Sequence, residues 1–152
     1  MEKNEARVIR VCELWYSLVE DVESVQVAVN DRVAVTLKTG KDWVRIPFTS
    51  GTGFVSEKTT REVAGRTYEQ EMAVDVPGED EEMVQWALEN DLRPVVLKVV
   101  QNNGTKIYGD LVYPVRLRMT WSTETSSTLM SFTRKAKERA RWMDETESGS
   151  GV

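Results

Sequence analysis

The residues with the most obvious chemical promise lie between Gly51 and Glu82. Gly51-Thr52-Gly53 is followed by Lys58-Thr59-Thr60. This has the residue types of a phosphate loop. Such a loop needs Gly-x-x-x-x-Gly-Lys-[Ser/Thr], so that backbone amides converge on the phosphate. Here Glu57 stands before Lys58. A carboxylate at that point repels a phosphate, and no glycine gives the close backbone approach. Carboxylates are the next candidates. Glu57, Glu62, Glu69, Glu71 and Asp75 fall on adjacent segments, and paired carboxylates hydrolyse glycosides when they flank a cleft. Glu69, Glu71 and Asp75, however, are spaced by even numbers, which puts them on one face of a strand. An open strand face neither excludes water nor desolvates a carboxylate. Glu79-Asp80-Glu81-Glu82 is a run of adjacent acids, which on a helix point in different directions and do not converge on a metal. They suit a helix start, where acids meet the positive end of the dipole.

Other chemistries are removed by what is missing. The 152 residues contain no histidine and one cysteine, Cys12. That excludes Ser-His-Asp and Cys-His catalysis, a histidine zinc site and a thiolate cage. No internal disulfide can form, which suits a reducing cytoplasm. The expectation is therefore no enzyme and no cofactor. No apolar run approaches the ~20 residues that cross a bilayer as a helix, and Met1-Glu2-Lys3-Asn4-Glu5 is not a secretory signal. A formal charge of −5 does not draw the whole molecule to polyanions. One basic segment does stand out. Arg134, Lys135, Lys137, Arg139 and Arg141, with Trp142 close by, have the composition to contact backbone phosphates. Glu138 and the acids from Asp144 offset them.

The elements that position these residues are mostly strands. Val8, Val11, Cys12, Trp15, Leu18, Val19 and Val22 have helical spacing. Val8-Ile9-Arg10-Val11 is β-branched and suits a strand. Residues 1–22 therefore stay open between the two. Val25 to Val29 and Val33 to Leu37 alternate in period two around Asn30-Asp31, which predicts a hairpin. Trp43 to Ile46 begins another strand, ended by Pro47. A turn at Ser50-Gly51-Thr52-Gly53 leads into strands from Phe54 to Val63 and from Arg66 to Val76. In the second strand Tyr68, Met72, Val74 and Val76 share a face that Gln70 interrupts. The first is polar on both sides over Ser56 to Glu62. It reads as a hairpin that projects from the body, or as an exposed edge protected by its polarity. A helix is predicted over Glu79–Asp91. Further strands follow from Val95, with Asn102-Asn103-Gly104 as the turn, from Val115 to Trp121, and from Thr128 to Thr133. A short basic helix or coil comes next. The tryptophans fall mostly at predicted core positions.

The expected fold is mainly β with one flanking helix: a β-sandwich or barrel of antiparallel strands carrying a long hairpin. One β-rich domain spans residues 1–143, with a flexible tail over 144–152.

Several short motifs then resemble a known group. Trp43-Val44-Arg45-Ile46-Pro47-Phe48-Thr49-Ser50-Gly51-Thr52 is followed by Ser56-Glu57-Lys58. Pro77-Gly78-Glu79-Asp80, Arg93-Pro94-Val95, Asn103-Gly104, Gly109 and Tyr113-Pro114 come later. Together they resemble small virion or tail-region proteins of phages and prophages of Bacteroidales, over roughly residues 43–134. The resemblance implies a structural protein of a phage tail or neck, made in the bacterial host cytoplasm and carried in the virion. Its partners would be other copies of itself and other virion proteins. Tail-tube proteins are similar in general plan, with a long hairpin or loop joining neighbours in a ring. On this reading the assembly residues are Glu57, Lys58, Thr59, Thr60, Arg61, Glu62, Arg66 and Glu69. The alternative is a nucleic-acid-associated accessory protein that uses Arg134, Lys135, Lys137, Arg139 and Arg141.

Overall fold

In the computed structural model the described residues are 10–28, 30–63, 65–77, 85–86, 89, 93–122 and 127–143. The chain is mainly β, with antiparallel pairing and no closed barrel among them. β1 (Val11–Leu18) leads through a 3-10 turn at Val19–Asp21 into β2 (Val22–Val27) and β3 (Val33–Leu37). β4 (Val44–Arg45) precedes the long pair β5 (Phe54–Glu62) and β6 (Gly65–Pro77). β7 (Pro94–Gln101), β8 (Gly104–Tyr108), β9 (Val115–Ser122), β10 (Ser127–Ala136) and β11 (Arg141–Trp142) follow.

The strand reading of the N-terminal segment prevails from Val11 onward. β1 pairs with β7, a long-range contact that no local periodicity can report. Strand alternation buries Leu14 and leaves Cys12 exposed, which a helical stripe through Cys12 would not do. The predicted helix over Glu79–Asp91 lies largely outside the described residues. Within it Gln85, Trp86 and Glu89 have helical backbone, and Gln85 Nε2 donates to Glu89 Oε2 at 3.0 Å, one turn away. The basic segment is corrected. β10 runs on to Ala136, and Arg141–Trp142 pairs with β8 as a short strand, so no basic helix forms there. The flexible tail expected over 144–152 lies outside the described residues.

One sheet runs β11-β8-β7-β9-β10-β6-β5, with β1 on the other edge of β7 and β4 beside β1. Its bend comes from β8 and β9, which take the same edge of β7 in succession. Leu97 faces Tyr108 and Val95 faces Val115, so residues 109–114 are an excursion from what is otherwise one long strand. Beyond the excursion β9 leaves β7 and pairs with β10. The two halves then close on one core. Leu14, Val95, Leu97, Val99 and Tyr108 meet Met72, Val74, Leu117, Met130 and Phe132. The β2–β3 hairpin covers the opposite face of β7 and β8, where Val22, Val33, Val96, Ile107 and Met143 form a second cluster. β7 is therefore apolar on both faces. Val95, Val96, Leu97 and Val99 are all buried, and each side chain contributes about 1.5–3 kcal/mol by leaving water.

Four of the tryptophans sit at the margins rather than at the centre of the core. Trp15, Trp43, Trp86 and Trp142 are half-buried. Trp86 packs edge-on to Tyr16, with ring centroids 5.6 Å apart. Trp15 and Trp43 flank the Lys98 ammonium at 4.8 and 5.1 Å. Burial pulls the Lys98 pKa down from its ordinary value, and Glu13 opposes that shift.

Candidate assembly edge

β5 and β6 form a continuous antiparallel ladder from Phe54↔Ala73 to Glu62↔Gly65. β10 takes the other side of β6, but only from Tyr68 to Pro77. Residues 65–67 and their β5 partners thus extend past β10 by three residues, about 10 Å of strand. The arm expected from the polar sequence is short, and most of the hairpin is seated in the sheet. What is left open is its side. β5 ends the strand order, and among the described residues no strand pairs its outer edge. It has nine residues, whereas β11 and β4 have two each. An unpaired strand edge presents a row of N–H and C=O groups that another chain can complete.

The start of β5 is fixed by close packing. A Cβ on Gly53 would lie 3.0 Å from Val11 Cβ and 3.3 Å from Val74 Cγ1. A side chain here would force Val11 or Val74 to give way by a few tenths of an ångström, so glycine suits the close approach to β1 and β6 as β5 begins. Thr52 Oγ1 adds an acceptor for the Asp75 N–H at 3.1 Å, which ties the preceding turn to β6. The turn predicted at Ser50-Gly51 is therefore a structural joint.

The middle of the hairpin is fixed by a polar network between the two halves of the sheet. Gln70, 1% exposed, stands on the core face of β6. Its amide Nε2 donates to Glu57 Oε2, across the ladder from it. The same Glu57 oxygen accepts the Ala140 N–H at 3.0 Å. Arg134 Nη1 donates to Gln70 Oε1 at 2.9 Å, Nε donates to the Tyr113 carbonyl at 2.7 Å, and Nη2 reaches Asp110 Oδ2 at 3.4 Å. Arg134 is 7% exposed. It continues the inward row of Thr128, Met130 and Phe132, two residues beyond the last. Burial lowers its pKa from the ordinary value, while Asp110, then Glu57 and Glu138, oppose the shift. Tyr108 lies in the same region, and burial first, then the Glu57 charge, raise its hydroxyl pKa. Buried charges persist when they are paired and hydrogen-bonded, and this arginine meets that condition on three sides.

The predicted assembly residues therefore divide. Glu57 is exposed, with its Oε2 bound within its own chain by Gln70 and Ala140. Lys58, Thr59 and Arg61 are exposed on β5, and Arg66 is exposed on β6. Thr60 is half-buried, and its carbonyl accepts from Thr67 Oγ1. The backbone of Glu62 lies at the hairpin end, opposite Gly65. Glu69 belongs to the solvent face of the sheet, between Lys58 and Lys135 in register. Glu69, Glu71, Thr133, Arg116 and Lys135 on that face line an open cleft of about 540 Å³ below Tyr113.

The predicted polyanion contacts divide as well. Arg134 is internal. Arg139 Nη2 and Arg141 Nε bind the two oxygens of Asp31 at 2.8 and 2.9 Å, and Arg141 Nη1 binds Glu138 Oε1 at 2.7 Å. Asp31 sits at the β2–β3 turn with a φ of 66°. Arg32 Nη1 donates to the Met143 carbonyl at 3.2 Å. These contacts clamp the C-terminal segment against the hairpin. Lys135 and Lys137 are exposed. Sequence reasoning missed the network because charge was read as surface. The available signals were Gln70 interrupting an apolar face and the even spacing of Met130, Phe132 and Arg134.

Among the described residues no group of three or more His, Cys, Asp or Glu side chains could hold a metal ion, and no helix is long and apolar enough to cross a membrane. Comparison with protein families, with curated proteins and with solved structures finds no match.

Proposed function

We propose that this protein is a structural subunit that joins its neighbours by strand addition at β5. The observation that supports this reading is the nine-residue outer edge of β5, unpaired among the described residues and held firmly on its inner side. The free edge offers main-chain donors and acceptors, and strand addition needs no dedicated pocket. The network of Glu57, Gln70 and Arg134 gives the edge a rigid backing. The resemblance of residues 43–134 to small phage tail-region proteins is the reason for assigning the neighbours to a phage particle, in its tail or neck. Under this reading the protein is carried in the virion. The nucleic-acid alternative has less behind it, since Arg134, Arg139 and Arg141 are already engaged within the chain.

The test uses proline at Lys58 and, separately, at Thr59. Successive N–H groups of an edge strand point alternately to the partner strand and to solvent. One substitution therefore removes a bond to β6, and the other removes only an outward donor. The variant that keeps the wild-type melting temperature reports on the edge. It is expected to lose assembly with its neighbours. Wild-type assembly in that variant would refute the reading.

A further inference from the structure

The reading of β5 as a connector leaves its partner strand unspecified, and the register narrows it. When two β5 edges join antiparallel in one continuous sheet, a twofold axis normal to the sheet relates the copies. Opposed side chains must then lie on the same face, so the pair is centred on a residue of β5. Centring on Glu57 sets two acids against each other. Centring on Lys58 sets two ammonium groups against each other and Val55 against Arg61. Centring on Thr60 sets Lys58 against Glu62 but leaves Arg61 facing Thr59. Centring on Thr59 places Glu57 opposite Arg61 and Lys58 opposite Thr60, each twice, within the span of β5. Opposite charges are a favourable cross-strand combination.

A further feature fits that register. Arg61 stands directly across the hairpin from Arg66, and like charges so placed are destabilising. An acid from a second copy beside Arg61 relieves them. Glu57 can supply it, because its contacts with Gln70 and Ala140 both use Oε2. Resting on the strand-addition reading, we infer that β5 pairs with β5 of a second copy of this chain, antiparallel about a twofold axis at Thr59. Such a pair is closed, because each copy uses its only β5 edge. Larger assemblies are then built from pairs through another surface.

The test uses the full chain with Cys12→Ser, so that only the introduced thiols react. Thr59→Cys is expected to give a disulfide-linked dimer under mild oxidation, because directly opposed residues fall within disulfide reach. Lys58→Cys and Thr60→Cys are expected to cross-link to each other when mixed, and more than either does alone. Arg61→Glu is expected to weaken the dimer at least tenfold by facing Glu57, while the hairpin keeps or gains stability because residue 61 then opposes Arg66. Suppose the compatible proline variant abolishes assembly but Thr59→Cys does not cross-link. The twofold register is then wrong and strand addition at β5 survives. If neither that proline nor Arg61→Glu changes self-association, both readings fall. A chain that stays monomeric at high concentration also overturns the self-pairing, and leaves β5 to a different partner.

Discussion

Arg134→Met tests whether the hairpin is braced from within. The substitution keeps an unbranched side chain but removes the donors to Gln70 Oε1, the Tyr113 carbonyl and Asp110 Oδ2. Hydrogen bonds from a charged group contribute about 1.5–3 kcal/mol each, and a buried acceptor left alone bears its desolvation cost. Gln70 is 1% exposed and cannot turn to water. The Asp110 side chain is a third exposed, so solvent compensates much of its loss. The apolar replacement also removes the cost of burying a cation, which offsets part of the damage. The net expectation is a destabilisation of about 3 kcal/mol. For a chain of this size that lowers Tm by roughly 6–12 °C. Urea unfolding followed by tryptophan fluorescence measures it. Arg134→Lys should fall between the two, because one ammonium cannot reach three acceptors in the guanidinium geometry. A change within about 0.5 kcal/mol, the usual range for a surface cation, would refute the reasoning. It would return Arg134 to the outside of the protein, where it could meet a polyanion.

Three further outcomes follow from the same geometry. Gly104→Ala places a Cβ at φ +138° and 2.9 Å from the Trp142 ring, so a loss of about 1–3 kcal/mol and a weakened β8–β11 pair are expected in thermal unfolding. Leu97→Ala, at a fully buried position of β7, should cost about 2–5 kcal/mol in urea unfolding. Asp31 has its carboxyl pKa held below the ordinary value, first by the hydrogen bond from Arg141. A depressed carboxyl favours folding above its unfolded pKa, and the contribution is lost as pH falls through the lower folded value. NMR titration should place the Asp31 midpoint below 3.8, and Arg141→Gln should raise it.

The hairpins were legible because both of their signals are local. Val25 to Leu37 alternate about Asn30-Asp31, and Asn102-Asn103-Gly104 marks the turn between β7 and β8. The mainly β class and the β5–β6 pair followed from the same period. The first strand was not legible in the same way. Its partner lies about eighty residues on in β7, and the helical spacing of Val11, Trp15, Leu18 and Val22 was coincidental. Arg134 was hidden by its neighbours. A run of basic residues reads as a solvated tail, yet strand alternation turns Arg134 and Ala136 inward while Lys135 stays outside. Glu57 was not legible as an internal partner, because β5 is polar on both sides from Ser56 to Glu62 and no local pattern sets it apart. The two halves of the sheet had to be seen together before Ala140 and Gln70 appeared as its partners. The fold over residues 109–114 depends on which edge of β7 each strand takes, and nothing local encodes that.

Amide hydrogen exchange along residues 54–62 bears most directly on the claim that this edge joins subunits. In dilute monomer the outward N–H groups of β5 should exchange as fast as unpaired amides, while those bonded to β6 stay protected. In the assembled protein the outward set should become protected too, in the same alternation. Equally fast exchange of that set in monomer and assembly would contradict the account.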